Sequence, residues 1–371
     1  MYNKRSEGMN LIYFYPKEDN APANLARELY LAIKIKKDLN LCISPYPCSD
    51  LYPMDSYSLK DLFFGSNEFV GVHMTTSPFF APTKRFLLHL IAVLKRIPII
   101  LNYHGDIRIE TMNQLKNKSW VNFLKYIPSY LFVSRFLKNA EKVIVNSYNM
   151  KSLVERKYNV SNVCVIPNAI DDFWFSKSKS KIHLEGCPSI FYHGRLSYEK
   201  GVDLLIKGLA KSKRSDAILY ISGIGDQLDY LKSIAAEEGI SDNVKFLGKT
   251  TNDELKMYLS SVDLAIYPSR YEPFSLAILE AFATLNGIVF YSNKAGINDF
   301  VNNMNFELKS FEPTVDEIAN IIRSHYSAEE VDHIVSMQKK FAKFFTWDSV
   351  STQYLQIYNE LKMKYEIAKR A

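Results

Sequence analysis

Cysteine is scarce in this sequence, and no apolar stretch runs far without a charge. Four cysteines, Cys42, Cys48, Cys164 and Cys187, stand among 371 residues. They form no CxxC pair and have no histidine at ligand spacing, which excludes a zinc ribbon or a disulfide framework and implies a reducing compartment. The opening MYNKRSEGMNLIYFY lacks the order of basic, apolar and small residues that marks an export signal. The longest lightly charged region, residues 86–103, still contains His89, Lys95, Arg96 and Pro98, which a spanning helix of about 20 residues rarely tolerates together. A cytoplasmic protein without a transmembrane helix is therefore expected. With 14 glycines, 14 prolines, 47% hydrophobic and 23% charged residues, the chain is neither fibrous nor disordered. It carries no low-complexity tract.

Acidic residues are missing from one region in particular. Residues 76–151 hold 12 basic side chains against 3 acidic ones, although the whole chain carries only +6. Such an excess calls for an anionic partner or surface. Within it, residues 115–138 place Lys116, Lys118, Lys125, Arg135 and Lys138 among Trp120, Phe123, Tyr126, Tyr130, Phe132 and Phe136. Cations interleaved with aromatics suit the surface of an anionic membrane, so a peripheral location at its inner face is the expectation; aromatics at helical spacing also suit a core.

What the sequence does contain is a repeated alternation. A chain this long exceeds one hydrophobic core, so two domains are expected. Apolar runs rich in β-branched and aromatic residues recur in each half, NLIYFYP, EFVGVHM, IPIILNYHG, KVIVNSY and NVCVIPN, then SIFYHGR, AILYISG, NVKFLG, DLAIYPS and GIVFYSN. Helical patterns separate them, and they lack polar alternation. Both features read as parallel sheets buried on two faces, hence α/β with two doubly wound domains. The boundaries are set at residues 1–175 and 190–346, with the charged, serine-rich stretch 176–189 as linker. Residues 347–371 form a long final helix whose apolar stripe, Val350, Tyr354, Ile357, Leu361 and Tyr365, packs back on the first domain, with Asp348 or Ser349 as its cap.

Two motifs carry chemistry. After SIFYHG comes GRLSYEKG, residues 194–201, followed by a helical pattern. A glycine at a strand end, two cations five positions apart and a helix start are the parts that hold a diphosphate. They also suit an ordinary surface turn. The second motif, YEPFSLAILE, has Glu272 and Glu280 in an otherwise uncharged run. Pro273 keeps Glu272 in the loop and starts a helix just after it, so Glu280 is helical and Phe274, Ser275 and Leu276 offer free N–H groups. Eight helical residues span about 12 Å. Glycoside hydrolases set two carboxylates about 5 to 9 Å apart around one bond, an arrangement this spacing does not favour; pairing of Glu280 with a neighbouring cation is the alternative.

Taken together, GRLSYEKG and EPFSLAILE resemble the retaining glycosyltransferases of family 4, with the GT-B fold, and the resemblance covers nearly the whole chain. It implies two Rossmann-like domains facing across a cleft, the final helix crossing back, and transfer of a sugar from a nucleoside diphosphate with retention of configuration in polysaccharide biosynthesis. By this likeness Gly194, Arg195 and Lys200 would bind the donor diphosphate, Glu280 the ribose, and Glu272 the donor sugar together with the N–H groups of Phe274, Ser275 and Leu276. Phe246 and Leu247 would border the base, Gly223 and Gly225 would line the same cleft, and Gly287 stays available after Glu280. His104, at a strand end before Gly105, would stand near the anomeric carbon; His73 is a second candidate. The catalytic set expected is thus His104, Arg195, Lys200 and Glu272. No Asp-x-Asp motif stands in a loop, in keeping with a family that uses Arg and Lys in place of a metal, so no metal or cofactor is expected. The partners implied are a nucleotide sugar and a saccharide or lipid-linked acceptor, and not nucleic acid. The loop after the first strand lacks the family's glycine pair, which leaves acceptor placement open. An inactive nucleotide-sugar-binding relative and a nucleotide-sugar epimerase are the alternatives.

Overall fold

The computed structural model describes residues 10–14, 21–36, 40–44, 69–75, 84–116, 120–178, 180 and 182–370. The chain divides into two compact units, the first drawn from Met1–Met112, Trp120–Asn168 and Trp347–Ala371 and the second from Asn113–Ser119 and Ala169–Thr346. Each of the ten apolar runs contains a strand.

The first unit contains β1 (Asn10–Phe14), β2 (Asn40–Ser44), β3 (Phe69–Met74), β4 (Ile99–Tyr103), β5 (Lys142–Val145) and β6 (Val163–Val165), all parallel, in the order β2-β1-β3-β4-β5-β6. Its described helices are α1 (Ala21–Ile35), α2 (Lys84–Leu94), α3 (Ile107–Lys116), α4 (Trp120–Lys138) and α5 (Tyr148–Tyr158). The strands β3 and β4 are buried along their whole length, because helices cover both faces.

The second unit contains β7 (Ser189–His193), β8 (Ile218–Ser222), β9 (Val244–Gly248), β10 (Leu264–Tyr267), β11 (Ile288–Ser292) and β12 (Lys309–Phe311), again parallel, in the order β12-β11-β10-β7-β8-β9. Between them run α6 (Val202–Ser212), α7 (Leu228–Glu237), α8 (Asn252–Leu259), α9 (Leu276–Thr284) and α10 (Ile297–Asn303), with α11 (Val315–Arg323) and α12 (Ala328–Ala342) after β12. The first strand of this unit, β7, lies in the middle with β8 on one side and β10 on the other. The winding therefore reverses between β7 and β10, and loops leaving their carboxyl ends part to opposite faces. The strands β2 and β12 escaped the sequence pattern: β2 reads NLCIS, with polar residues at both ends, and β12 has three residues, two of them exposed.

The final helix, α13 (Trp347–Arg370), belongs to the first unit. It starts one residue before Asp348, so Asp348 and Ser349 lie in its first turn and do not cap it; Asp348 pairs instead with Lys36 at 3.0 Å. Its apolar stripe delivers two hydroxyls to the sheet. Tyr358 reaches His73 Nδ1 at 2.6 Å, His73 Nε2 reaches Asn102 Oδ1 at 3.1 Å, and Asn102 Nδ2 donates to Tyr354 at 3.1 Å. Every member is buried, and burial pushes the His73 pKa down to about 4. His73 is thus inside β3 and committed to holding α13, not at a strand end facing substrate.

The chain leaves the first unit after Asn168, ahead of the 176–189 stretch. The reason lies in what residues 170–176 touch. Ile170 N–H donates to Phe345 at 3.0 Å, Thr284 donates to the Trp174 carbonyl at 3.0 Å, and the buried Lys256 bonds the Phe173 carbonyl and Ser176.

Candidate active site

The loops at the winding reversal of the second unit carry both motifs. After β7, Gly194 takes φ 147 and the chain runs through Arg195 to a short 3-10 turn, Tyr198–Lys200, closed by Gly201 at φ 69. Arg195 points outward: its side chain is 77% exposed, and its nearest carboxylate, Glu199, is 3.8 Å away. Lys200 turns inward and is bonded to Glu272. Gly201 packs so closely on the next loop that a Cβ there would lie 2.1 Å from the Pro268 carbonyl oxygen.

After β10 the chain passes Glu272 in the loop, and α9 begins only at Leu276. Only residues 276–280 of the interval between the two glutamates are helical, so the 12 Å helical reach does not describe it. Pro273 delays the helix rather than opening it directly. Ser275 caps it with Oγ accepting from Ile278 N–H, and holds φ 100, a strained value for a residue with a side chain. Leu276 and Ala277 begin the helix, where N–H groups have no acceptor within the helix and are of the kind that meet anions or hydroxyls. The Phe274 ring is buried against Phe300 and Phe345. The Glu272 carbonyl accepts from Gly296 N–H at 2.8 Å, which ties this loop to the end of β11.

Glu280, on α9, meets a residue that sequence reasoning missed. His193, the last residue of β7, contacts Glu280 Oε2 through Nε2 at 3.0 Å and Tyr267, the last residue of β10, through Nδ1 at 2.8 Å. Adjacent parallel strands in register put those two strand ends side by side. The only sequence signal was the position of both residues at strand ends. Arg270 was missed as well. It makes two bonds to Asp203, at 2.7 and 2.6 Å, a third to the Tyr198 carbonyl at 2.8 Å, and lies over the Tyr198 ring. A bidentate guanidinium of this kind fixes the 3-10 turn that carries Lys200.

The glycines sort differently from the expectation. A Cβ at Gly223 would lie 1.9 Å from the Gly194 carbonyl oxygen, and one at Gly225 2.2 Å from that of Leu196, so both serve the packing of the loop after β8 on the loop after β7. Gly223 N–H donates to the Gly248 carbonyl at 2.8 Å, next to Phe246 and Leu247 at the half-buried end of β9. Gly287 is not available near Glu280: it precedes β11, at the opposite end of the sheet, where a Cβ would meet the Asp263 carbonyl oxygen at 1.9 Å.

In the first unit His104 follows β4. Its Nε2 donates to the Thr75 carbonyl at 3.0 Å, and its own carbonyl accepts from Asn146 at 3.3 Å. Burial lowers its pKa, so the ring is neutral near pH 7 with Nδ1 as acceptor. It lines a small pocket with Thr75, Asn168 and Trp347.

Two doubly wound parallel-sheet units, with charged loops at the β7 and β10 ends of the second, define the GT-B class of α/β protein. Residues 175–341 match the model of the glycosyl transferases group 1, and residues 72–172 that of glycosyltransferase family 4. The chain belongs to this family of glycosyltransferases. A glycosyltransferase of Methanocaldococcus jannaschii is 32% identical over 174 residues, which is 46% of this chain and 44% of that protein, so the match spans less than half of the relative's length. Among solved structures, a sucrose-phosphate synthase from Thermosynechococcus elongatus superposes with a TM-score of 0.73 at 17% identity, over 96% of this chain and all of that one (100%). The Anabaena protein HepE, solved in complex with UDP and glucose, gives 0.70 at 17% identity over 95% and 100% of the two chains. At such identities these structures share the fold.

Proposed function

We propose that the protein moves a sugar from a nucleoside-diphosphate donor to a saccharide or lipid-linked acceptor, with retention of anomeric configuration. The observation that carries the reading is the meeting of both motifs at the winding reversal of the second unit, with Lys200 against Glu272 and Glu280 held by His193. In this reading Gly194, Arg195 and Lys200 take the diphosphate, Glu280 the ribose, and Glu272 with the N–H groups of the 274–276 turn the donor sugar. Phe246, Leu247 and Gly223 border the base, and His104 serves the first unit as a neutral hydrogen-bonding group.

The acceptor hydroxyl oxygen bonds to the anomeric carbon on the face the diphosphate leaves. The bond from that carbon to the phosphate oxygen breaks, its electron pair stays with the diphosphate, and the hydroxyl proton passes to the same leaving group. Arg195 and Lys200 stabilise the charge that develops there, a preorganised contribution that takes the place of a divalent ion.

A lipid-linked acceptor fits the first unit's surface. Leu87, Leu90 and Leu94 on α2 and Trp120, Leu124 and Leu131 on α4 are exposed, and the helices touch through Phe86, His89 and Phe136. Exposed Lys95, Arg96, Arg135 and Lys138 follow these faces, and neither helix contains an acidic residue. An apolar face with a basic rim suits an anionic bilayer.

Thermal shift with UDP, GDP and ADP, followed by release of nucleoside diphosphate from the matching nucleotide sugar, tests the proposal. Release that depends on added acceptor supports it. No shift with any of the three, or release unaffected by acceptor, overturns it.

A further inference from the structure

The pairing of Lys200 with Glu272 ties together two halves of a donor. Lys200 is 17% exposed and Glu272 10%. A carboxylate so nearly buried is costly to leave without a partner. Loop movement offers no relief, because the two backbones are joined. Arg270 N–H donates to the Glu199 carbonyl at 2.8 Å, the Arg270 side chain grips Tyr198 and Asp203, and Gly296 N–H holds the Glu272 carbonyl at 2.8 Å. Gly201 lies tight against Pro268. Only rotation of the two side chains parts them.

We infer that Glu272 is a specificity gate, which releases Lys200 to a diphosphate only when another donor satisfies the carboxylate. The inference rests on the assignment of Lys200 to phosphate and Glu272 to sugar under the proposed function. An intact nucleotide sugar brings hydroxyl donors to Glu272 as its diphosphate draws Lys200 away. A bare nucleoside diphosphate draws the lysine and leaves the glutamate unpaired. The site thereby selects donor over spent product, and re-formation of the pair helps the product leave.

The test is calorimetric binding of UDP, GDP and ADP, and of UDP-glucose, GDP-mannose and ADP-glucose, to the wild type and to Glu272→Gln. For the nucleotide that binds, the wild type prefers the sugar-bearing form by about tenfold or more, and Glu272→Gln binds the bare diphosphate about tenfold tighter than wild type, so the preference collapses. A merely structural glutamate would weaken both ligands alike on substitution. Unchanged or weaker binding of the bare diphosphate by a folded Glu272→Gln overturns the gate and leaves the sugar-transfer reading standing. Equal wild-type affinity for the two forms overturns it without any variant. If none of the six ligands binds the wild type, both readings fall.

Discussion

His193 fixes the carboxylate of Glu280 in one orientation. Burial raises the Tyr267 phenol pKa well above its usual value, so the hydroxyl keeps its proton, and it shares a hydrogen bond of 2.8 Å with His193 Nδ1. A carboxylate oxygen accepts, so Nε2 is the nitrogen that donates to Glu280 Oε2, at 3.0 Å. One oxygen of Glu280 is held and the other can accept a ribose hydroxyl. Tyr267→Phe removes the bond that holds the far side of the His193 ring. Donor KM should rise about three- to tenfold with kcat nearly unchanged, and His193→Phe should do at least as much. Steady-state kinetics over a range of donor concentrations checks this; a fall confined to kcat would contradict it.

In the proposed reaction the cations act on a different step. Arg195→Ala and Lys200→Ala should each lower kcat by about 10² to 10³, the scale of losing one electrostatic contact to a transition state. Arg195 is largely exposed, so its substitution should leave the melting temperature where it was. Near-normal turnover by both variants on the true substrate pair would refute the diphosphate assignment.

Loop packing predicts a contrast between two glycines. Gly223 has φ 148 and no room for a Cβ, whereas Gly248 has φ 71 and nothing within 4 Å. Gly223→Ala should cost about 3 kcal/mol, from overpacking added to backbone strain, and Gly248→Ala about 1 kcal/mol from strain alone. Denaturant titration of the two variants measures the difference, and equal losses would be inconsistent with the loop contact.

A pH dependence follows from His89. The ring lies buried between α2 and α4, and its Nδ1 has no hydrogen-bond partner among the described residues. Burial lowers its pKa from 6.5 to about 4. The unfolded chain therefore binds a proton below pH 6.5 that the folded chain refuses, and stability falls as the pH drops from 6.5 towards 4. At pH 5 the loss from this residue is about 2 kcal/mol. His89→Leu should abolish that share, so its stability relative to wild type should improve by about that amount between pH 7 and pH 5. Parallel unfolding curves at both pH values would disprove it.

The proposed membrane contact of α2 and α4 is checked with vesicles. Co-sedimentation should rise with the fraction of anionic lipid and fall with salt, because a cation near the surface contributes about 1 kcal/mol. Leu124→Glu combined with Leu131→Glu should abolish it without changing the melting temperature, both residues being more than half exposed. Equal recovery in the supernatant with neutral and anionic vesicles at low salt would sink the idea, and concentration-dependent self-association lost in the same variant would assign the face to a second copy instead.

Much of the fold was written locally. Ten strands, eight central and the edge strands β6 and β9, read directly from apolar runs such as IPIILNY and SIFYH, because a strand covered on both faces has no polar alternation to hide it. Pro273 placed Glu272 in a loop, and the helical pattern after it placed Glu280 in a helix. The strands β2 (NLCIS) and β12 (KSF) were not legible, since polar residues interrupt their apolar content.

The residue types, their order and their strand-end positions were thus determined by the sequence alone, through propensity and periodicity that act over a few neighbours. The partners were decided only by tertiary structure. His193 and Glu280 are 87 positions apart, Lys200 and Glu272 are 72 apart, and His73 finds Tyr358 across 285. The first two contacts exist because β7 and β10, distant in the chain, become neighbours when the sheet is wound, and the third because the final helix packs on β3. No local pattern records which strand lies beside which, and so none could show that each glutamate already has a protein partner.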